Sequence, residues 1–139
     1  MRTFEKTILM SKKIIGTAAI LGFISIILGA FGAHALKEVL TEEQLVSFET
    51  GVRYQMYHAL FLLLAGITDF ISEKQKKIIF TLTLTGVLLF SGSIYLLATQ
   101  NISGINFKFL GPVTPIGGLL LILSWGLLTF YAFGQKTDK

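Results

Sequence analysis

Four apolar runs of membrane-crossing length, separated by short polar segments, constrain this chain more than any other feature. They cover residues 14–36, 52–71, 78–99 and 113–134. An α-helix needs roughly 20 mostly apolar residues to cross ~30 Å of hydrocarbon, and each run is about that long. The second is interrupted only near its ends, by Arg53 and Asp69. No run alternates with period two, which argues against a membrane β-barrel. Composition agrees. Charged residues are 14% of the 139, against about 25% in soluble domains, and the mean hydropathy is +0.71. A water-soluble domain this small could not hide so much apolar surface.

The reading is a single integral membrane domain, all-α, with four transmembrane helices in an antiparallel bundle. Residues 1–13 form a cytoplasmic N-terminal segment and 135–139 a cytoplasmic tail. In the first loop, Thr41-Glu42-Glu43-Gln44 fits a capping box. After it, Leu45, Phe48, Val52 and Met56 recur at helical spacing, with Glu43, Ser47, Thr50 and Gly51 opposite. This predicts a short amphipathic helix over 41–51, lying at the membrane surface and running into the second span. A solvated cap of that span is the alternative. Residues 69–77 form a tight polar turn, which makes spans two and three antiparallel neighbours. Residues 100–112 carry Asn101, Ser103, Gly104 and Asn106, which is turn chemistry. Thr114-Pro115 reads as an N-cap followed by proline at the first helical position.

Basic residues orient the chain. Arg2, Lys6, Lys12 and Lys13 precede the first span, Lys74, Lys76 and Lys77 lie between the second and third, and Lys136 and Lys139 follow the fourth. The opposite side has Lys37, Arg53 and Lys108, with Glu38, Glu42, Glu43 and Glu49 around the first two. The positive-inside rule then puts both ends in the cytoplasm, as an even number of crossings requires. Lys12-Lys13 ahead of Ala33-His34-Ala35 has the outline of a signal peptide, but its apolar stretch exceeds the usual 7–15 residues. Met10-Ser11-Lys12-Lys13 reads as a natural start, which makes the first nine residues an upstream extension.

Lipid tails are as apolar as leucine, so close backbone approach and hydrogen bonds must associate the helices. Ser25, Gly29 and Ala33 share one stripe of the first span, and Gly22 lies seven residues before Gly29. The third span offers Thr81, Thr85, Gly86, Ser91, Gly92 and Ser93, and the fourth Gly117, Gly118, Ser124 and Gly126. Packing within the chain is the first reading and homo-oligomer contacts the second. Trp125, mid-helix, is expected inside with its N–H bonded to a neighbouring helix.

One dense polar group remains: Glu49, Arg53, Tyr54, Gln55, Tyr57 and His58, with His34 near the end of the first span. The run 52–71 places Arg53 to His58 at the outer boundary of the membrane. At about 100° per residue, Glu49, Arg53 and Tyr57 share a sector, and Glu49–Arg53 has favourable i, i+4 ion-pair spacing. Tyr54 and His58 form a second pair on the far side, so the group cannot line one cavity. Its leading reading is a hydrogen-bonded clamp between the surface helix and spans one and two. A histidine-based proton or substrate site and recognition of lipid phosphate by Arg53 with Tyr54 or Tyr57 are the alternatives. His34, His58 and Glu49 lack a metal-ligand spacing.

Other chemistries find no footing. With no cysteine, disulfides, thiolate metal sites and thiol nucleophiles are impossible. No phosphate loop or nucleophile elbow occurs, and no carboxylate pair lies within a span. Asp69, beside Lys74 and Lys77 at the inner end of the second span, reads as solvated. The basic residues flank apolar runs and so suggest anchoring to an anionic leaflet, not nucleic acid.

Four blocks resemble a bacterial inner-membrane family catalogued as domain of unknown function 423: Gly29-Ala30-Phe31-Gly32-Ala33-His34-Ala35-Leu36, the run from Glu49 to Leu60, Gly92-Ser93-Ile94-Tyr95-Leu96-Leu97 and Thr114-Pro115-Ile116-Gly117-Gly118. A eukaryotic four-helix family, transmembrane protein 256, resembles it in turn. The resemblance implies four helices in a bacterial inner membrane. It brings no reaction, substrate or cofactor, and its recurring polar positions fall on His34, Glu49, Arg53, Tyr54, Gln55, Tyr57 and His58. The expectation is a non-enzymatic membrane protein without cofactors, with a structural, lipid-interacting or partner-binding role. Its partners would be membrane lipids, a second copy or other membrane proteins. A small transporter, channel or ion/proton-binding protein comes second, and a membrane-embedded lipid-modifying enzyme third.

Overall fold

The computed structural model describes residues 1–134, and the expected tail 135–139 lies outside them. The described residues are helical apart from short connections. The helices are α1 (Arg2–His34), α2 (Glu42–Ile67), α3 (Glu73–Ser103) and α4 (Val113–Gly134), with 3-10 turns at Leu36–Glu38 and Lys108–Leu110. Three stretches, Arg2–Glu38, Glu73–Ser103 and Lys108–Gly134, are long and apolar enough to cross a membrane. α2 is not among them: even its most apolar part, from Thr50 on, still carries Arg53, Gln55 and His58.

Local chemistry sets the helix ends, and three differ from expectation. α1 begins at Arg2 instead of residue 14, since neither proline nor glycine occurs before Gly16 and Met10 already packs on the core. α2 runs unbroken from Glu42, so 41–51 is not a separate helix. The Thr41 hydroxyl accepts from the Gln44 N–H at 3.2 Å and the Gln44 side chain accepts from the Thr41 N–H at 3.0 Å, the reciprocal satisfaction of a capping box. A second box, Ser72 with Gln75, starts α3. α2 stops where Thr68 turns extended. α3 stops at Gly104, whose φ of +69° lies in the left-handed region and whose N–H closes on the Gln100 carbonyl at 3.0 Å. Thr114 does not cap α4. The helix already begins at Val113, leaving Pro115 in the first turn, where a missing N–H costs nothing.

The helices pack in chain order, each antiparallel to the next. Gly66 lies against Ile14 and Ile15, Gly22 against Ala59, Gly29 against Val52 and Gly32 against Phe48, which registers α2 along α1. Gly51 abuts Tyr95 and Ile94 of α3, and Gly86 abuts Leu121 of α4. At Gly117 a Cβ would overlap the backbone of Leu89 and Phe90, so only glycine permits this approach. Among the described residues, α1 and α4 are not neighbours and the backbones of α2 and α4 stay more than 8 Å apart, Cα to Cα. The four helices therefore do not close into a ring: α2 and α3 are each packed on both sides, whereas α1 rests mainly on α2 and α4 on α3. One core cluster runs from Ile14 and Leu62 through Ile79 to Leu121. A smaller one at the other end gathers Leu36, Leu40, Phe48 and Ala98.

Candidate functional site

The helix register moves the polar group. Because Gly22 meets Ala59 and Gly29 meets Val52, the stretch from Arg53 to His58 lies alongside residues 22–29 of α1, with His58 near the middle of its apolar run and Arg53 about two turns short of Leu36. His34 closes α1 twelve residues beyond Gly22, roughly 18 Å further along, so the two histidines are not brought together. His34 and Glu49 are exposed and stand apart from the rest.

Gln55 and His58 face inward, each 4% exposed. The Gln55 amide N–H donates to the Leu21 carbonyl of α1 at 2.9 Å, and its oxygen accepts from the Tyr95 hydroxyl of α3 at 2.8 Å. One side chain thus ties three helices. His58 Nε2 accepts from the Trp125 indole N–H of α4 at 3.1 Å, while Nδ1 lies 2.6 Å from the Tyr54 carbonyl. Indole nitrogen only donates and a carbonyl only accepts. Both bonds together require the neutral imidazole with its proton on Nδ1. Trp125 keeps the expected bond to a neighbouring helix, but half its surface remains exposed. It lies against Phe61 at 4.4 Å between ring centres.

Arg53, Tyr54 and Tyr57 face outward. The anticipated Glu49–Arg53 ion pair does not form. Arg53 Nη2 donates instead to the Thr50 hydroxyl at 3.1 Å, since an exposed i, i+4 pair is too weak to fix two long side chains. Tyr54 stacks on His58 with centroids 6.4 Å apart and tilts against Phe90 at 4.9 Å. Gly51, expected on the polar face, is buried against Tyr95. Tyr54, His58, Phe90, Gly118, Leu121, Ile122 and Trp125 line an open cavity of about 500 Å³.

Four bonded groups escaped the sequence reading. Thr83 donates to Ser124 at 3.0 Å between α3 and α4, although Thr81 and Thr85 were the threonines singled out. Ser93 and Thr114 pair at 2.6 Å, and Ser91 donates to the Gly51 carbonyl at 2.7 Å. Lys76, counted among the orienting charges, is only 2% exposed. Its ammonium reaches the Gly66 carbonyl and the Ser11 hydroxyl, both at 3.4 Å, and Glu73 at 3.6 Å. It thereby caps the carbonyl end of α2 beside Ser11 of α1. A lysine three residues after an N-terminal glutamate was the available signal. Every buried polar residue among those described has a bond within the chain, and Glu73 Oε2 is the one buried side-chain atom without a partner. No three His, Cys, Asp or Glu side chains converge among the described residues.

A helical chain with three membrane-length apolar helices and a polar interior satisfied from within is a small α-helical membrane protein. Comparison with known proteins narrows this further. Residues 28–118 match the family model described as Protein of unknown function (DUF423). A UPF0382 membrane protein of Haemophilus influenzae is 34% identical over 128 residues, covering 92% of this chain and 99% of its own length. The UPF0382 membrane protein YwdK of Bacillus subtilis is 38% identical over 119 residues, covering 82% and 90%. The UPF0382 inner membrane protein YgdD of Escherichia coli K12 is 33% identical over 123 residues, covering 86% and 88%. The chain belongs to this family of membrane proteins. No solved structure matches it.

Proposed function

We propose that the chain is a non-enzymatic, four-span protein of the bacterial inner membrane, with both ends cytoplasmic, whose buried polar residues clamp its helices and whose working surface faces lipid. The observation that carries this is the closure of the interior: Gln55 and His58 use both ends of their polar groups on helix partners. Among the described residues, neither of these two side chains has a polar atom without a partner. The fourth span is supported by topology. α1 and α3 start at the same end, where Lys76 of α3 meets Ser11 of α1. If both cross the bilayer in one direction, α2 must carry the chain back. Its acidic first half is accommodated because Phe48, Gly51 and Gln55 are buried against α1 and α3. Lys12, Lys13, Lys74 and Lys77 gather at the proposed cytoplasmic end.

Having no native cysteine, the chain suits single-cysteine labelling. Ile105→Cys should react with an impermeant maleimide from outside intact cells, and Thr3→Cys only after lysis. The second reading, an ion- or proton-binding protein, is favoured by the position of His58 alongside the middle of α1's apolar run. Proteoliposomes with an internal pH dye distinguish the two. The proposal expects no proton flux above empty vesicles, and a flux abolished by His58→Phe would replace it with the second reading.

A further inference from the structure

On the reading that α2 crosses the bilayer from outside to inside, a furrow opens sideways to lipid between α2 and α4. The two helices flank α3 without backbone contact, and only side chains cross the gap: Trp125 bonded to His58 and tilted against Phe61. This bridge separates two cavities. The cavity toward the outer end is the one of about 500 Å³ behind Tyr54, Ile122 and Trp125. The other, about 460 Å³, lies toward the inner end among Leu64, Ala65, Ile67, Thr68, Phe70 and Leu128. Both sizes fall within the roughly 300–1,000 Å³ of small-molecule sites. The outer cavity opens to the surface, since Tyr54, Ile122 and Trp125 on its rim are 42%, 68% and 50% exposed. Its back wall is apolar and has room: a Cβ on Gly118 would meet only the Phe90 ring, at 3.5 Å.

The polar groups sit at one end of this cavity. Ser91 binds the Gly51 carbonyl and Gly117 lies on the backbone of Phe90. Arg53, two residues beyond Gly51, is therefore level with the upper end of the cavity. At about 100° per residue, Thr50 falls within about 40° of Tyr54, on the furrow side of α2. The Arg53–Thr50 bond thus draws the guanidinium round toward the furrow's mouth. One of its five N–H donors is engaged among the described residues. The Tyr54 hydroxyl at the same rim makes no hydrogen bond there. A cationic fork above a laterally open apolar slot complements a phosphodiester with an acyl chain beneath it. We infer that the outer cavity holds one acyl chain of an anionic outer-leaflet phospholipid whose phosphate sits on Arg53.

Trp125 is the only tryptophan in the chain and lines the cavity, so its fluorescence reports occupancy directly. The protein is reconstituted in phosphatidylethanolamine vesicles containing graded phosphatidylglycerol brominated on one acyl chain, or phosphatidylcholine brominated likewise. Half-quenching should need about tenfold less phosphatidylglycerol, the factor that a charge-assisted hydrogen bond supplies. Arg53→Gln should abolish the preference, and Gly118→Leu, which fills the slot, should weaken quenching by both lipids. Equal quenching by the two lipids in the unmodified protein overturns the inference, as does a preference that survives Arg53→Gln. Weak quenching by both, together with a cross-linked dimer, would seat a second copy in the furrow and also overturn it. If the preference is absent while Ile105→Cys labels from outside, the lipid site alone fails. If that cysteine is unreactive from outside, the membrane orientation beneath the inference fails with it.

Discussion

Gln55 and His58 show why two neighbouring polar residues on one helix behave differently from Arg53 and Tyr57. They point into the layer between helices, where no water can satisfy them, so each must find partners inside the chain. Such bonds average about 0.6 kcal/mol, reaching about 1.7 kcal/mol, in helical membrane proteins. Tyr95→Phe, which removes the hydroxyl donated to Gln55, should lower stability by that order in detergent unfolding. Gln55→Leu should cost a similar amount, and the double variant less than the sum, because both remove one shared bond. Lys76 offers a second contrast. Its stem is buried as well as its ammonium, so Lys76→Ala should destabilise more than Lys76→Met, which keeps the apolar contacts. Equal losses in thermal unfolding would assign its whole effect to the ammonium.

At the scale of elements, glycines set how closely helices approach. Gly117 sits where any Cβ meets the backbone of Leu89 and Phe90, whereas Gly126, nine residues on, has nothing within 4 Å of the same position. Gly117→Ala should therefore cost about 1–3 kcal/mol by forcing α3 and α4 apart. Gly126→Ala should be neutral or slightly stabilising, since alanine is the better helix former. Paired melting curves decide this, and a neutral Gly117→Ala would contradict the close crossing. The length of α2 is an element-scale matter too. A capping box starts it at Glu42 and no glycine-proline break follows, so residues 42–51 and 52–67 form one continuous rod. What sets the rod's depth is its pairing with α1.

At the scale of the whole molecule, serial packing of four helices leaves α1 and α4 apart. Thr83 and Ser124, joined through their hydroxyls at 3.0 Å, are close enough for a bridge once both are cysteine. Thr83→Cys with Ser124→Cys should oxidise within a monomer, seen as a mobility shift without a dimer band. Cysteines at Gly22 and Ser124, on helices that are not neighbours, should not. The open side between α2 and α4 is also a whole-molecule property, since no single helix contains it.

Hydrophobicity along the chain was enough to read four helices, their chain order and the membrane class, because an apolar run of about 20 residues has few other uses. The capping box at Thr41 and the turn at Gly104 were equally legible, being local hydrogen-bond chemistry. Resemblance in four short blocks identified the family. Depth and register were not legible. A helical face repeats every 3.6 residues, so a shift of one or two turns along a neighbour preserves every pattern in the sequence. Only the fit of Gly22 on Ala59 and Gly32 on Phe48 set the register that moved His58 to the level of the middle of α1's apolar run. Tertiary structure likewise turned Lys76 inward, chose Thr83 over Thr81 and Thr85, and joined His58 to Trp125, 67 residues away. Each of these depends on which face a third helix covers. That outcome arises from packing between helices and is written in no single one of them.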